Sequence, residues 1–275
     1  FSNKKTIHID IDEAELYEPR IETYVKIKSD CKSFLQKINN HILEYETTDW
    51  VKKILKWELK YHSKQFYENL QLSSYHVINS VSSFVKDKKI VVSSGVGTHQ
   101  QLVARYFNFS YPNKRWLTSA GHGTMGFDLP SMIGALIHEK SFDYGLVFVG
   151  DGSFQMNIQE LANVVKYNLP IKIFVLDNEK LGIVSQFQLL NWETDQSTGK
   201  KSNPSFYNIG QAYGILSYQL NTKNDLTNVL GQVFSNNNPS LIHCKIDYSE
   251  DVLPMLMGGQ KMNQMYPFKE EVSYE

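Results

Sequence analysis

The 275-residue sequence predicts an α/β fold, a doubly wound parallel sheet with helices on both faces. From about residue 75 onward, short runs rich in Val, Ile and Phe alternate with segments of helical length and periodicity. Strands separated by such helices are joined by right-handed crossovers, which make the sheet parallel and place helices on both faces. Gly-containing turns follow three predicted strands, where open sheets of this kind bind ligands. The sequence therefore places a functional site at the carboxyl edge of the sheet.

Hydrophobic periodicity predicts the elements in chain order. Residues 5–12 (KTIHIDID) alternate apolar and polar side chains as a strand does, and residues 30–71 follow helical patterns. After a polar break at 72–74, helices are predicted at 75–86, 98–107, 128–139, 156–167, 205–213 and 224–236. Strands are predicted at 89–94, 115–119, 144–150, 171–177, 215–220 and 240–246. The long polar segment 191–205 is predicted to be a mobile lid.

The balance of charges argues against two classes of partner. Lys and Arg number 28 against 29 Asp and Glu, which gives a formal net charge of −1. Neither nucleic acid nor an anionic membrane is therefore an expected partner. One predicted helix has a basic face, which we interpret as a solvated surface in preference to a nucleic-acid patch. Its residues are Lys52, Lys53, Lys56, Lys60 and Lys64.

The cysteines and the start of the chain indicate a compartment. Cys31 and Cys244 lie far apart without metal-type spacing, so we expect two buried free thiols in a reducing environment. No hydrophobic signal core follows Phe1, and the longest apolar runs have the length of a strand. We therefore expect a cytoplasmic protein. Because the sequence lacks an initial Met and enters a strand almost at once, we interpret it as a piece of a longer polypeptide.

A carboxylate and a carboxamide follow two neighbouring predicted strands. One crossover separates Asp151 from Asn178, so both are expected at one crevice. Oxygen ligands suit Mg²⁺, and the N–H groups of Gly152 and Ser153 open a helix where a diphosphate can bind. Taken separately, Asp151 would be a helix cap and Asn178 a turn residue. Together they predict a site for a metal ion carrying a diphosphate.

The turn from Gly121 to Gly126 matches the GxGxxG fingerprint of dinucleotide-binding proteins. That site also needs an acidic residue at the end of the next strand, about twenty residues on, to bind a ribose. Here the next strand ends in Gly150-Asp-Gly-Ser instead. Nicotinamide binding is therefore disfavoured.

Several motifs, in the same order, resemble one enzyme family. The segment GDGSFQMNIQELANVVKYNLPIKIFVLDNEKLG resembles the cofactor motif of thiamine-diphosphate-dependent enzymes. SSGVGTHQ, AGHGTMGFDLPSMIGA and GIVSQFQ are similar to the acetolactate (acetohydroxyacid) synthase branch, as are KTIHIDIDEAEL and DVLPMLMGGQ. The resemblance covers nearly the whole chain and implies the diphosphate-binding type of α/β domain.

The resemblance implies roles for individual residues. Asp151, Asn178 and the main-chain carbonyl of Lys180 would ligate Mg²⁺. Met125 would support thiamine diphosphate in its V-shaped conformation. The other cofactor-binding residues would be Val96, Gly97, Thr98, His99, Gly123, Gly150, Gly152, Ser153, Gly182 and Ile183.

The resemblance also implies an activity and a domain plan. The family decarboxylates a 2-keto acid such as pyruvate and transfers the acyl unit to a second carbonyl. Its activating glutamate lies in the pyrimidine-binding domain of a partner subunit, so this chain alone is expected to be inactive and to need a homodimer or homotetramer. Residues 1–30 would be the end of a middle domain of FAD or nucleotide type, 31–74 a helical linker, and 75–275 the diphosphate-binding domain with a C-terminal tail. FAD is expected only in a full-length protein.

The sequence departs from the synthase pattern at four positions. Phe187 replaces a Trp that shapes the acceptor pocket in the synthases. His122 replaces an apolar residue and is either a solvated loop histidine or a polar contact to the substrate. Thr98 replaces a Gln, and Asp177 replaces the first Asn of the usual pair.

These departures leave three functions open. One is a carboligase like the synthases, and a second is a 2-keto acid decarboxylase, lyase or keto-sugar acyl transferase of the same superfamily. The third is a non-catalytic binding module that retains the fold.

Overall fold

A computed structural model describes residues 4–18, 22–41, 44–196, 202–261 and 264–268. The chain divides into two compact units, residues 1–62 and 63–275. The division into three parts predicted above, at residues 30 and 74, stays a prediction. Within the described ranges, no helix has the length and apolar character needed to cross a membrane.

The first unit begins with a small parallel β-α-β arrangement. Its elements are β1 (Ile7–Asp10), α1 (Glu13–Tyr17), β2 (Val25–Lys28), α2 (Cys31–Ile38) and α3 (Thr48–Lys60). β1 and β2 pair in parallel. The side chain of Asp12 accepts a hydrogen bond at the start of α1, and that of Asp30 does so at the start of α2. β2 was not predicted, because its alternating pattern is only four residues long.

The second unit contains a six-stranded, fully parallel sheet with strand order β4-β3-β5-β6-β8-β7. Its strands are β3 (Ile90–Ser94), β4 (Lys114–Leu117), β5 (Tyr144–Gly150), β6 (Ile171–Asp177), β7 (Leu216–Leu220) and β8 (Ser240–Lys245). A short antiparallel pair, β9 (Met255–Leu256) and β10 (Met265–Tyr266), follows. All six predicted strands of the main sheet are present, and each of their ends lies within two residues of its predicted position.

Helices cover both faces of this sheet. The α-helices described in this unit are α4 (Ser74–Phe84), α5 (Thr98–Tyr106), α6 (Asp128–His138), α7 (Asp151–Gln155), α8 (Leu161–Lys166), α9 (Gly182–Trp192), α10 (Phe206–Ala212) and α11 (Leu226–Val233). Successive side chains of β5 point to opposite faces, so Leu146 and Phe148 pack with α4, α5 and α11. Val147 and Val149 pack with α6, α8 and α10 on the other face. The predicted doubly wound α/β fold is confirmed.

Two helical segments differ from prediction. The helix predicted at 156–167 is interrupted, because Asn157 leaves the helical conformation with a φ of −137° and its side chain donates to the carbonyl of Gly126. α9 was not predicted. In α9 the polar side chain of Gln186 is buried, while the apolar side chains of Phe187 and Trp192 are exposed. Hydrophobic periodicity therefore does not predict this helix.

The prediction for the cysteines is half wrong. Cys244 is a buried free thiol in β8, whereas Cys31 is exposed at the start of α2. The predicted lid at 191–205 is only partly described. Its first two residues belong to α9, and residues 197–201 lie outside the described residues.

Candidate functional site

The residues predicted to bind the cofactor and the metal surround one cavity of about 300 Å³ at the carboxyl edge of the sheet. The turns after β3, β5 and β6 form its walls, together with the first residues of α5, α7 and α9. Every residue predicted to bind the cofactor or the metal lines it: Val96, Gly97, Thr98, His99, Gly123, Met125, Gly150, Asp151, Gly152, Ser153, Asn178, Lys180, Gly182 and Ile183. The fold thus brings together predicted site residues up to 87 positions apart, from Val96 to Ile183.

Asp151 and Asn178 follow β5 and β6, which are neighbours in the sheet. Both side chains are buried. The N–H of Gly152 donates to Oδ1 of Asp151 at 2.7 Å, and the N–H of Lys180 donates to Oδ1 of Asn178 at 3.3 Å. Between Asn178 and Lys180, Glu179 has a left-handed backbone with a φ of 57°. Such a conformation costs roughly 1–2 kcal/mol, and local strain of this kind is concentrated at functional turns.

A second carboxylate, that of Asp177, ends β6 and is fully buried. Its Oδ2 lies 2.7 Å from Nε2 of His243 and accepts from Nζ of Lys245 at 2.6 Å. Its Oδ1 accepts from Nδ2 of Asn203 at 2.7 Å. Burial acts to raise the pKa of Asp177, but the hydrogen bonds from His243, Lys245 and Asn203 outweigh burial and lower it to about 2. Asp177 is therefore a fixed negative charge at neutral pH.

The turn after β3 and the start of α9 offer polar groups to an anion. Oγ1 of Thr98 and Nε2 of His99 are buried and have no hydrogen-bond partner among the residues that the structure describes. Gly97 has a φ of 134°, a conformation that favours glycine. Both α5 and α9 begin at the cavity, so the free N–H groups of their first turns favour a negative ligand there.

The hydroxyl of Ser153 is already engaged within the protein. It donates to Oδ2 of Asp128 at 2.8 Å and accepts from the N–H of Gly126 at 2.7 Å. Asp128 is fully buried and also accepts a hydrogen bond from the N–H of Gly95. These bonds tie together the three glycine turns identified in the sequence. They leave the main-chain N–H of Ser153, and not its hydroxyl, as the group it can offer to a ligand.

Comparison with known proteins assigns this site to a family. Residues 95–244 match the family described as "Thiamine pyrophosphate enzyme, C-terminal TPP binding domain". The chain belongs to the thiamine pyrophosphate enzymes. Thiamine pyrophosphate is the thiamine diphosphate of the resemblance noted above.

Acetolactate synthases are among the relatives of this thiamine pyrophosphate enzyme chain. It is 34% identical to the acetolactate synthase large subunit of Cyanidium caldarium, over 96% of this chain and 46% of the relative. It is also 34% identical to the acetolactate synthase isozyme 1 large subunit of Escherichia coli, over 96% of this chain and 46% of that subunit. The mitochondrial catalytic subunit of Saccharomyces cerevisiae is 30% identical, over 92% of this chain and 37% of that subunit. The chain therefore spans about half the length of these relatives, and the predicted resemblance to their C-terminal part is confirmed.

The cavity of this thiamine pyrophosphate enzyme chain fits a diphosphate held by a divalent cation. Oγ1 of Thr98 and Nε2 of His99 have no hydrogen-bond partner within the described residues and are suited to phosphate oxygens, and Nε2 of His99 also lies 3.8 Å from Oδ1 of Asp128. Asp151, Asn178 and the carbonyl of Lys180 are oxygen donors, which suit Mg²⁺ because it is a hard cation that retains water and phosphate ligands. The residues present therefore fit the cofactor for which the family is named.

The two predicted substrate-pocket residues do not line the cavity. His122 is exposed on a single 3₁₀ turn, Ala120–His122, next to Gly123. Phe187 is 54% exposed on α9, where its ring meets that of Trp192 edge to face at a centroid distance of 5.3 Å. Their predicted roles at the substrate stay predictions.

Sequence reasoning missed two polar groups in the cavity wall, Ser74 and Glu250. Oε2 of Glu250 accepts from the N–H of Ser74, and Oε1 accepts from its hydroxyl, both at 2.6 Å. Burial raises the pKa of Glu250 to about 7, although the two hydrogen bonds from Ser74 act to lower it. The residues are 176 positions apart, so no local pattern joins them. Three missed apolar residues also line the cavity: Leu176, Leu181 and Val184.

Proposed function

We propose that this chain is the C-terminal, diphosphate-binding part of a Mg²⁺-dependent carboligase similar to acetolactate synthase. Its reaction is the decarboxylation of a 2-keto acid, with pyruvate the first candidate, and transfer of the acyl unit to a second carbonyl. One observation carries the proposal: Oγ1 of Thr98 and Nε2 of His99, which accept or donate no hydrogen bond within the described residues, share a cavity with the oxygen donors of Asp151 and Asn178. The acetolactate synthase relatives support the reaction class.

In this proposal the end of β5 and the turn after β6 hold the metal. Asp151, Asn178 and the carbonyl of Lys180 would supply three oxygen ligands, and phosphate oxygens and water would supply the rest. Asp151 is the one ligand of the three with a formal charge. Its removal should therefore be the most damaging of the three changes.

The diphosphate would be bound by groups that are already fixed. The main-chain N–H group of Ser153, with Thr98 and His99, would donate hydrogen bonds to phosphate oxygens, whereas the N–H of Gly152 is engaged by Oδ1 of Asp151. The half-buried side chain of Met125 offers an apolar surface for the bent cofactor. When bound, thiamine diphosphate supplies the electron sink that permits loss of CO₂ from a 2-keto acid. The chain's own contribution is to bind and orient the cofactor.

The missing half of the active site would come from another part of the enzyme. In this proposal a glutamate in the pyrimidine-binding domain of a partner subunit activates the cofactor, so the working form is a homodimer or homotetramer. The chain on its own should then bind thiamine diphosphate and show little or no carboligation. FAD belongs to the full-length enzyme in this scheme.

The test is a screen of 2-keto acids, pyruvate first, for CO₂ release that depends on Mg²⁺ and thiamine diphosphate. The full-length protein is assayed with and without acceptor carbonyl compounds, and the products are identified by mass spectrometry. Ligated product supports the carboligase, whereas CO₂ release with free aldehyde as the only product would favour a decarboxylase. No turnover and no Mg²⁺-dependent cofactor binding would identify a non-catalytic module.

A further inference from the structure

The side chain of Asn203 hydrogen-bonds to two carboxylates, that of Asp151 after β5 and that of Asp177 at the end of β6. Its Nδ2 lies 2.6 Å from Oδ2 of Asp151 and 2.7 Å from Oδ1 of Asp177. A carboxamide nitrogen carries two hydrogens, so it can donate one to each carboxylate. Its Oδ1 accepts from Nε2 of Gln155 at 3.3 Å. Both polar atoms of the Asn203 side chain are therefore engaged, and its orientation is fixed.

One end of this bridge is anchored. Asp177 is fully buried, and His243 and Lys245 bind its Oδ2 at 2.7 and 2.6 Å. Because those two groups occupy Oδ2, Oδ1 is the oxygen that faces Asn203. Two side chains of β8 thus fix Asp177 at the end of β6, and Asp177 in turn fixes Asn203.

The other end of the bridge orients Asp151. The N–H of Gly152 holds Oδ1 of Asp151 at 2.7 Å, and Asn203 holds Oδ2 at 2.6 Å. Each carboxylate oxygen has two acceptor positions, so these two hydrogen bonds do not by themselves exclude a cation. Outer hydrogen bonds of this kind orient a ligand before the metal binds and separate like charges that would otherwise repel.

We propose that Asn203 is a positioning residue that holds the Asp151 carboxylate in its metal-binding orientation. This inference rests on the proposed function, because it assumes that Asp151 binds Mg²⁺. Asn203 itself does not contact the metal in this account. Asn203 links the Asp151 carboxylate to the fixed carboxylate of Asp177. Loss of Asn203 should therefore weaken Mg²⁺ binding more than it lowers the stability of the fold.

The test compares Asn203→Ala with the wild-type chain. Mg²⁺ is titrated calorimetrically into protein mixed with excess thiamine diphosphate, and the dissociation constant for Mg²⁺ is measured. We expect Mg²⁺ binding to weaken by roughly 10- to 100-fold, the usual cost of removing an outer partner of a metal ligand. The matched control is Asn163→Ala, since within the described part of the chain Nδ2 of Asn163 donates to Glu160 alone, at 2.8 Å. Its Mg²⁺ affinity should be unchanged.

A second variant keeps the test decisive if Asn203→Ala fails to fold. Asn203→Ser has one hydroxyl proton, which can serve only one of the two carboxylates, so an intermediate loss of Mg²⁺ affinity is expected. Mg²⁺ affinity equal to wild type in either folded variant overturns the inference, even if the melting temperature falls. A wild-type chain without any Mg²⁺-dependent binding of thiamine diphosphate overturns the proposed function instead.

Discussion

Gly182 and Thr98 approach each other so closely that no side chain fits between them. A Cβ atom on Gly182 would lie 2.6 Å from Oγ1 of Thr98 and 2.8 Å from Nδ2 of Asn178. Real Cβ contacts are essentially never this short. The start of α9 is therefore packed directly against one residue predicted to bind the diphosphate and another predicted to bind the metal.

This contact predicts that Gly182→Ala weakens cofactor binding. The added methyl must displace the side chains of Thr98 or Asn178, and overpacking of this kind costs about 1–3 kcal/mol. If the displacement falls on the ligand-binding groups, affinity for thiamine diphosphate should fall by roughly 5- to 150-fold. Calorimetric titration in the presence of Mg²⁺ measures this loss.

Gly134→Ala is the matched control for that variant. Gly134 is exposed within α6, and an added Cβ would have no atom within 4 Å. Alanine should stabilise the helix by up to about 1 kcal/mol and leave cofactor binding unchanged. Equal affinities for Gly182→Ala and Gly134→Ala would show that the start of α9 is not part of the binding site.

We expect the buried carboxyl group of Glu250 to make the stability of the fold depend on pH. Its folded-state pKa of about 7 lies above the ordinary value of 4.5, so the folded chain binds a proton more tightly than the unfolded chain does. The stabilisation from protonated Glu250 is fully present below pH 4.5 and is lost as the pH rises through 7. The free energy of unfolding falls over this range by roughly 1.4 kcal/mol for each unit by which the folded-state pKa exceeds the unfolded-state pKa. Urea unfolding between pH 5 and 8 measures this slope.

Glu250→Gln should flatten the curve between pH 5 and 7, because glutamine does not titrate. Its amide group replaces one oxygen that now accepts from Ser74, so the variant should also be less stable than wild type at pH 5. Glu160→Gln, a change outside the cavity, should retain the wild-type slope. An unchanged slope in Glu250→Gln would show that Glu250 is not the titrating group.

We expect the thiols of the two cysteines to differ in reactivity. Cys31 is exposed, whereas Cys244 is fully buried in β8, and burial raises the pKa of its thiol. Because the thiolate is the reactive form, one thiol per chain should react with a disulfide reagent under native conditions, and two should react in denaturant. Cys31→Ser should abolish the native reaction. Rapid native reaction of that variant would contradict the burial of Cys244.

The main sheet could be predicted from the sequence because its strands carry a strong local signal. Val147, Phe148 and Val149 are buried on both faces of β5, so the strand is a continuous apolar run bounded by turn residues. The glycine turns that follow then identify the carboxyl edge of a parallel sheet. Local composition and one topological rule were sufficient to bring Asp151 and Asn178 together.

The parts of the site that were missed depend on contacts without local signals. Asn203 meets Asp151 across 52 positions, and Glu250 meets Ser74 across 176. In the sequence each of these is an ordinary polar residue in a turn or at a helix end. Their function appears only when the sheet edge brings them together. α9 was missed for a different reason, because its apolar residues are exposed and its Gln186 is buried.

The most direct test of the account is calorimetric binding of thiamine diphosphate to wild-type and Asp151→Ala chains, each with Mg²⁺ and with a chelator. Asp143→Ala is the control, since Asp143 is exposed at the opposite end of β5. We predict Mg²⁺-dependent binding for wild type and Asp143→Ala, and none for a folded Asp151→Ala. Equal Mg²⁺-dependent affinity in Asp151→Ala and wild type would contradict the assignment of this cavity as the metal and diphosphate site.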